Sequence, residues 1–355
     1  MMSFFRGVLA LSVIAGCLVG AALHSFNHFK TVENLVDPSC LPVTGIAGPE
    51  DLQIDAALQR VFISSFDRRA KPVAGAPVRG AIHVVAIDDP LAASAWRDRT
   101  GGAPARFEPL GLSLYDDGEV KRLFVVNAAV NAVELFDVAE NGDLVHLETL
   151  SESRLTSVND VAAVGPRSFY VTNDVAPGRA SLFGKLQFVT KAATGALYYY
   201  DGLAWRTAAQ DLRFANGVVV NAAGTRLYLA ETTGMTLRIY DRDPAVGVLT
   251  LADTVALPGA ADNLNIADDG ALLIGANPKP LTLPMHRQSA ERRSPSLVLR
   301  YQDDVASDDP GDRLATLYQS DGEHLSAATV ADASNGKMVV GALVDDRFLI
   351  CSLKP

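Results

Sequence analysis

Short apolar stretches recur in pairs along the whole chain, each pair split by a Gly, Asn or Asp turn, and this repetition limits the fold more than any other feature. Leu52-Gln53-Ile54 precedes Val61-Phe62-Ile63, and Val161-Ala162-Ala163 precedes Phe169-Tyr170-Val171. Val218-Val219-Val220 precedes Leu227-Tyr228-Leu229, and Leu264-Asn265-Ile266 precedes Leu272-Leu273-Ile274. Two further units centre on Leu123-Phe124-Val125 and Met338-Val339-Val340. Anchored on Phe62, Phe124, Tyr170, Tyr228, Leu273 and Val339, the units are 62, 46, 58, 45 and 66 residues apart. A sandwich needs no repeat of that length, whereas a propeller blade does. Helical periodicity is sparse. The fold class expected is all-β, a six-bladed β-propeller, with 28 Gly and 18 Pro supplying turns and a 48% hydrophobic fraction supplying the core.

Two insertions break the rhythm. The segment 175–197 mixes apolar and basic residues and reads as a helix over one face, weakened by Pro177 and its glycines. The segment 278–295 is Pro-rich and basic, and reads as an exposed loop outside the core.

The N-terminus stands apart from the repeats. One positive charge in residues 1–6 precedes a charge-free run from Gly7 to Leu23, of a length between a signal-peptide core and a minimal membrane span. Three fates are open: cleavage near Ala22, retention as an anchor, or lipid processing at Cys17, because Ile14-Ala15-Gly16-Cys17 resembles a lipobox. Each places the remaining chain outside the cytoplasm, secreted or membrane-anchored. The expected organisation is a signal peptide or anchor over residues 1–25 and one propeller over 38–355. Cys40 and Cys351 are the only other cysteines, one at each end of the mature chain, and an oxidising compartment favours their pairing. Such a bond would staple the ends of a circular architecture. With 31 Lys+Arg against 41 Asp+Glu, the net charge of −10 argues against nucleic acid as a partner.

Oxygen-bearing side chains fall at one phase of the repeat. Glu50 lies 12 residues before Phe62, Asn159 11 before Tyr170, Asn216 12 before Tyr228 and Asp262 11 before Leu273. In a propeller that phase marks the start of each innermost strand, beside the central tunnel. Each motif alone is an ordinary turn signal; together they form a ring of carboxylate and amide oxygens suited to a hard cation such as Ca2+. The scattered histidines show no zinc spacing.

The runs GPEDLQID (Gly48 to Asp55), SVNDVAAVGPRSFYVTND (Ser157 to Asp174) and FANGVVVNAAGTRLYLAE (Phe214 to Glu231), with Asp262-Asn263, resemble the paraoxonase/arylesterase family, itself related to the gluconolactonase-like propellers. The resemblance covers nearly the whole mature chain in matching order. It implies a six-bladed propeller with two calcium ions in the tunnel. A catalytic ion would be held by Glu50, Asn159, Asn216, Asp262 and Asn263, and an inner, structural ion by Asp51, Asp160 and backbone oxygens. The terminal cysteines sit as that family's disulfide does, and its N-terminal hydrophobic segment is retained in the mature protein. Asp174 matches a family acidic residue near the metal, and His146 matches a histidine read here as structural, within a strand.

The departures fall on the family's active-site histidines. Leu110, in Glu108-Pro109-Leu110-Gly111, replaces one; Ala128, after Asn127, replaces another; Asn277, before Pro278, replaces a third. The function expected is a calcium-dependent hydrolase of lactones, and second of aryl esters, in which the cation polarises the carbonyl and Asp262 or Glu50 helps deprotonate water. The other reading is a binding propeller that keeps calcium for stability without turnover.

Overall fold

The computed structural model describes residues 16–353, except 18, 72–78, 91–96, 180 and 304–312. Most of the expected leader, including Ile14-Ala15, lies outside the described residues, as do 354–355. Residues 19–25 are helical; among the described residues no helix is long and apolar enough to cross a membrane.

Six antiparallel sheets follow in chain order. After β1 (Leu41–Thr44), the first blade is β2 (Pro49–Asp55), β3 (Arg60–Ser65) and β4 (Ala81–Ala86). The second joins β5 (Thr100–Gly101), β6 (Pro109–Asp116), β7 (Lys121–Asn127), β8 (Ala132–Val138) and β9 (Leu144–Leu150), with β5 parallel to β9. The third is β10 (Val158–Ala163), β11 (Phe169–Asn173), β12 (Gly195–Tyr200) and β13 (Trp205–Leu212). The fourth is β14 (Ala215–Val220), β15 (Arg226–Glu231), β16 (Thr236–Arg242) and β17 (Leu249–Ala256). The fifth is β18 (Ala260–Ile266), β19 (Leu272–Asn277), β20 (Ser296–Tyr301) and β21 (Leu314–Ser320). The sixth is β22 (Ala328–Ser334), β23 (Lys337–Ala342) and β24 (Arg347–Ser352). The expected six-bladed propeller is the observed fold.

All six anchors fall on second strands, β3, β7, β11, β15, β19 and β23. These strands are buried on both faces; every residue of β3, β11 and β19 is buried. A strand covered on both sides carries a continuous apolar run instead of alternation, which is why these runs stand out in the sequence. The core is accordingly divided into six main clusters, one in each interface between neighbouring blades. Phe124, Val126 and Val133 of the second blade, for example, meet Phe169 and Val171 of the third, and Val61 and Ile63 of the first meet Val339 and Phe348 of the last. Apolar surface is consumed between blades, so the axis is left to polar groups.

The ring closes where its ends meet. β1 completes the last blade by pairing with β24, Leu41 opposite Ile350 and Val43 opposite Phe348. Directly beside this pairing, Cys40 and Cys351 form a disulfide across 311 residues of sequence. The first and last blades also meet through Asp332. Its two carboxylate oxygens accept the Ala333 N–H at 2.8 Å and, across the interface, the Ile54 N–H at 2.7 Å.

The first insertion is a helix, α1 (Leu182–Thr190), started by Ser181, whose hydroxyl accepts the Gly184 N–H at 2.9 Å. The second departs from the exposed loop read in the sequence. A 3-10 turn, Pro280–Thr282, leads into α2 (Leu283–Gln288), and Pro280 and His286 are buried. His286 holds the segment down: one ring nitrogen meets the Arg292 carbonyl at 2.6 Å and the other lies 3.1 Å from Asp345. Proline fixes φ for a helical first turn, and the tertiary contacts of His286 supply what local polarity concealed.

Two measurements test this architecture. Breaking the Cys40–Cys351 bond, by reduction or Cys351→Ser, should cost roughly 3–5 kcal/mol in denaturant unfolding, because it frees a very long loop in the unfolded chain; unchanged stability would discount the staple. Asp332→Ala leaves one buried and one part-buried N–H group, those of Ala333 and Ile54, without acceptors, for a loss of roughly 1–3 kcal/mol. Burial also pushes the Asp332 pKa up to about 7. A folded-state pKa above the unfolded value gives stability that is fully present below about pH 4 and is lost as pH rises through about 7. The penalty of Asp332→Ala should therefore be larger in mildly acidic buffer than in mildly alkaline buffer.

Candidate active site and metal centre

Each innermost strand carries a register break near its start. In β2 it falls between Pro49 and Asp51, in β6 between Pro109 and Leu112, in β10 between Val158 and Val161. In β14 it falls between Ala215 and Val218, in β18 between Ala261 and Leu264, and in β22 between Ala328 and Val330. The residues skipped are Glu50, Leu110-Gly111, Asn159-Asp160, Asn216-Gly217, Asp262-Asn263 and Thr329. A bulged residue leaves the ladder and its side chain is re-aimed. The shared sequence phase of Glu50, Asn159, Asn216 and Asp262 is thus the shared position of a bulge.

Two bulge glycines record how tightly the blades meet there. A Cβ on Gly111 would lie 2.1 Å from Asp160 Oδ1, and one on Gly217 would lie 2.3 Å from the Asp262 carbonyl oxygen. Neither position has room for a side chain.

The polar groups link blade to blade. The Asn216 amide donates to Asp262 Oδ1 at 2.6 Å and to Thr232 Oγ1 at 2.9 Å. The Asn263 amide donates to the Glu50 carbonyl at 3.2 Å and to Glu50 Oε1 at 3.3 Å, and the Thr329 hydroxyl donates to that same carbonyl at 2.6 Å. Asn159 donates to Asp174 Oδ2 at 3.2 Å, and Asp174 is ion-paired with Arg179. Glu50, Asn159, Asn216 and Asp262 line one cavity of about 140 Å³, together with Leu110 and Asn277.

Asp51 and Asp160 are not in that lining and reach across to the next blade instead. Asp51 accepts the Leu52 N–H at 2.9 Å and, from the next blade, the Leu112 N–H at 2.5 Å. Asp160 repeats the pattern with Val161 at 2.8 Å and Val218 at 2.7 Å. Burial is the main cause that drives both carboxyls well above the ordinary range, and each is raised further by neighbouring acids: Asp51 by Asp160 and Glu50, Asp160 by Glu50 and Asp262. Burial likewise raises Glu50, opposed chiefly by Arg68, and lifts Asp262 to about 8, with the Glu50 charge adding to it.

The donor set fits a hard cation. Glu50 Oε2, Asn216 Oδ1 and Asn263 Oδ1 are buried oxygens with no hydrogen-bond donor among the described residues. Buried oxygens are ordinarily satisfied, so three around Glu50 and Asp262 suit an electropositive partner. Crowded, desolvated carboxylates that raise one another's pKa lack the same thing. Among the described residues no three His, Cys, Asp or Glu side chains form a ligand group; the set mixes carboxylate and amide oxygens, which suits a cation of the calcium type and not the zinc type.

The remaining residues singled out in the sequence fall as follows. Leu110 and Asn277 line the cavity. Asn277 donates to Ser294 at 2.7 Å. Ala128 does not line it, but faces a neighbouring depression with Asn131 and Thr156. His146 lies on the outer strand β9 and contacts Glu134 at 2.9 Å. No histidine lines the cavity. Arg68, Glu108, Arg179 and Arg287 do, and the sequence reading missed all four. Only Glu108, adjoining the second-blade bulge, carried a signal, its phase. Phe214, also in the lining, holds a left-handed backbone with φ of 62° directly before β14. A bulky residue there is strained, as at functional sites.

Comparison with known proteins agrees with this architecture. The arylesterase family model matches residues 76–353. Rat serum paraoxonase/arylesterase 1 is 30% identical over 343 residues, 92% of each chain, and chicken serum paraoxonase/arylesterase 2 is 32% identical over 356 residues, 97% of this chain and 98% of its own. Among solved structures, a gluconolactonase from Xanthomonas campestris superposes with a TM-score of 0.54 at 14% identity, covering 91% of this chain and 95% of its own. The calcium-binding protein regucalcin from Agrobacterium tumefaciens gives 0.52 at 14% identity, covering 88% and 91%. Bulged ring, disulfide-closed blade and matched sequence agree: the chain belongs to the arylesterase family.

Proposed function

We propose that the protein hydrolyses lactones, and secondarily aryl esters, at a calcium ion held by Glu50, Asn159, Asn216, Asp262 and Asn263, with a second ion at Asp51 and Asp160. The observation that carries this reading is the set of buried oxygens without donors, Glu50 Oε2, Asn216 Oδ1 and Asn263 Oδ1, drawn from the innermost strands of three blades. Family membership supports the hydrolase class, because the relatives named above are an esterase pair and a gluconolactonase neighbour. The disulfide supports work in an oxidising compartment outside the cytoplasm, and a membrane contact through residues 1–25 belongs to the same reading.

Bound calcium supplies Lewis-acid polarisation of the substrate carbonyl. The Oδ1 atoms of Asn216 and Asn263, which accept no hydrogen bond among the described residues, would be their ligand atoms. Among the described residues Asp262 carries one hydrogen bond, on Oδ1, which would leave Oδ2 to take a proton from attacking water, with Glu50 the other candidate base. Leu110 and Phe214 cover the polar floor with apolar surface and limit competing water. The absence of a lining histidine favours one second reading, a calcium-stabilised binding propeller without turnover.

A panel of lactones and aryl esters, assayed with calcium and with chelator, separates these readings: calcium-dependent turnover is expected, and none across the panel rejects the hydrolase. Asn216→Ala should lower turnover on the order of 10²-fold or more, because a ligand worth several kcal/mol of charge stabilisation is lost. Asp262→Ala should abolish calcium binding and turnover together, whereas replacing His146 should leave rates nearly unchanged.

Calcium should also stabilise the fold, with a defined pH dependence. In the cation-free protein Asp262 has a pKa of about 8, above its unfolded value, so stability falls as pH rises from about 4 through 8. Calcium favours the ionised carboxylates and reverses that loss. The gain in Tm on adding calcium after EDTA should widen from about pH 5.5 to about pH 8.5; a gain that is constant or shrinks would argue against carboxylate ligation.

A further inference from the structure

The cavity opens outward into a chamber of different character. The polar floor of about 140 Å³ continues into a volume of about 520 Å³. Both volumes share Arg179, Phe188, Phe214, Pro280, Leu283 and Arg287, so the two adjoin along these side chains. The two insertions build the shared walls, α1 contributing Phe188 and α2 Leu283 and Arg287.

The charges of the chamber are one-sided. Arg179, Lys185 and Arg287 line it and no carboxylate does. The acids Glu50, Glu108 and Asp262 all belong to the inner cavity, where Arg68 faces Glu50 and Glu108. Arg68 is already committed, donating to the Leu343 carbonyl at 3.1 Å and the Gly48 carbonyl at 3.3 Å. Arg179 is committed to Asp174 and to the Val158 carbonyl at 3.2 Å.

Arg287 differs from both. It stands at the joint of floor and chamber, and makes no hydrogen bond or ion pair within the described residues. Arg287 is exposed to solvent as a whole, but partial desolvation by its neighbours, then repulsion by Arg179, pull its pKa below the ordinary arginine value against the weaker pull of Glu108 and Glu50. A solvent-accessible guanidinium beside a second cation, with no protein anion in contact, keeps its donors free for a ligand anion. Its five donors match a carboxylate in bidentate geometry, and the surrounding Phe188, Phe214, Leu281 and Leu283 suit a short apolar stem.

We propose that the substrate is anionic: an ester or lactone whose reacting carbonyl sits over the oxygen ring while a carboxylate, carried on a short apolar stem, pairs with Arg287 at the mouth, beside Arg179. This rests on the hydrolase reading for where the carbonyl lies, but recognition of the carboxylate is separable from turnover. Arg287 is the specificity residue, and the long-range repulsion expected from a chain of charge −10 is overcome locally by three cations.

The test uses the full-length protein and two matched pairs of compounds. In the first, a cyclic ether with an alkyl carboxylate arm is compared with its carboxamide by calorimetry, which reports recognition whether or not the protein hydrolyses anything. The carboxylate should bind about tenfold or more tightly. That preference should vanish in Arg287→Gln and largely return in Arg287→Lys, in variants whose melting curves match the wild type. Equal binding of the two arms overturns the inference, and so does a preference that survives Arg287→Gln, because the anion would then sit elsewhere, such as on the oxygen-ring cation. In the second pair, the corresponding γ-lactones are compared by kcat/KM, and the carboxylate should be favoured by a ratio that collapses in Arg287→Gln. Turnover of both lactones without discrimination leaves the hydrolase and removes the anionic substrate; selective binding without turnover of either lactone keeps the anion site and removes the hydrolase.

Discussion

Everything at the centre of this molecule depends on the break in pairing at the start of each innermost strand. An unbroken ladder would spend every backbone group on the neighbouring strand and send alternate side chains into the two blade interfaces. Skipping Glu50, Asn159-Asp160, Asn216-Gly217 and Asp262-Asn263 frees those residues from both duties. The same break sets the fit between blades. Gly111 is pressed against Asp160, and Gly217 against the Asp262 carbonyl, at separations that exclude any side chain. The ring is therefore held by backbone proximity and by carboxylates that reach across, Asp51 to Leu112, Asp160 to Val218 and Asp332 to Ile54.

Those carboxylates carry a tension. Each accepts well-placed N–H groups, which favours the charged form, yet burial outweighs the hydrogen bonds and leaves every one of their pKa values raised. Like-charge neighbours compound it for Asp51 and Asp160 but far less for Asp332, whose one acidic neighbour is Asp268. The difference is spatial. Asp51 and Asp160 adjoin the bulges that aim Glu50 and Asn159 inward, whereas Asp332 lies beyond its own bulge at Thr329. Interface carboxylates can thus be sorted by their company: Asp332 acts as a hydrogen-bonding link, and the Asp51–Asp160 pair holds a concentration of negative charge that hydrogen bonds alone leave uncompensated.

What the sequence reveals follows from where the physics is local. Phe62, Tyr170 and Leu273 announce second strands because a strand buried on both faces has to be apolar throughout. The shared phase of Glu50, Asn159, Asn216 and Asp262 is visible because blade length before the second strand is nearly constant, so a bulge keeps its offset. Cys40 and Cys351 are legible from position alone. The chamber above the ring is not. The segment 278–295 looks like a solvated loop, being rich in Pro, Arg and Ser, and nothing within it says that His286 will reach Asp345 or that Arg292 will present its carbonyl. Arg68 is equally silent, since its carbonyl partners at Gly48 and Leu343 come from opposite ends of the chain. Ala128 shows the limit of local matching from the other side: its sequence neighbours place it after β7, yet the chain turns it away from the cavity.

The division of labour between ring and insertions has a physical basis. The oxygen ring is fixed by six bulges that the blade contacts over-determine, so changing one residue there disturbs packing on both sides. The insertions carry no such burden. α1 is held by its Ser181 cap and by Phe188 stacking on Phe26, and α2 by the buried His286 and by Arg69 donating to the His286 carbonyl. The cavity-facing residues Phe188, Leu283 and Arg287 belong to no blade strand. Side chains at these positions can change size and charge without altering the register of any strand. A cation such as Arg287 is tolerated there because solvent reaches the outer chamber, whereas a lone charge among the bulges would face the full penalty of burial. Chemistry and selectivity thus reside on structural elements whose freedom to vary differs for reasons visible in the hydrogen bonds that hold them.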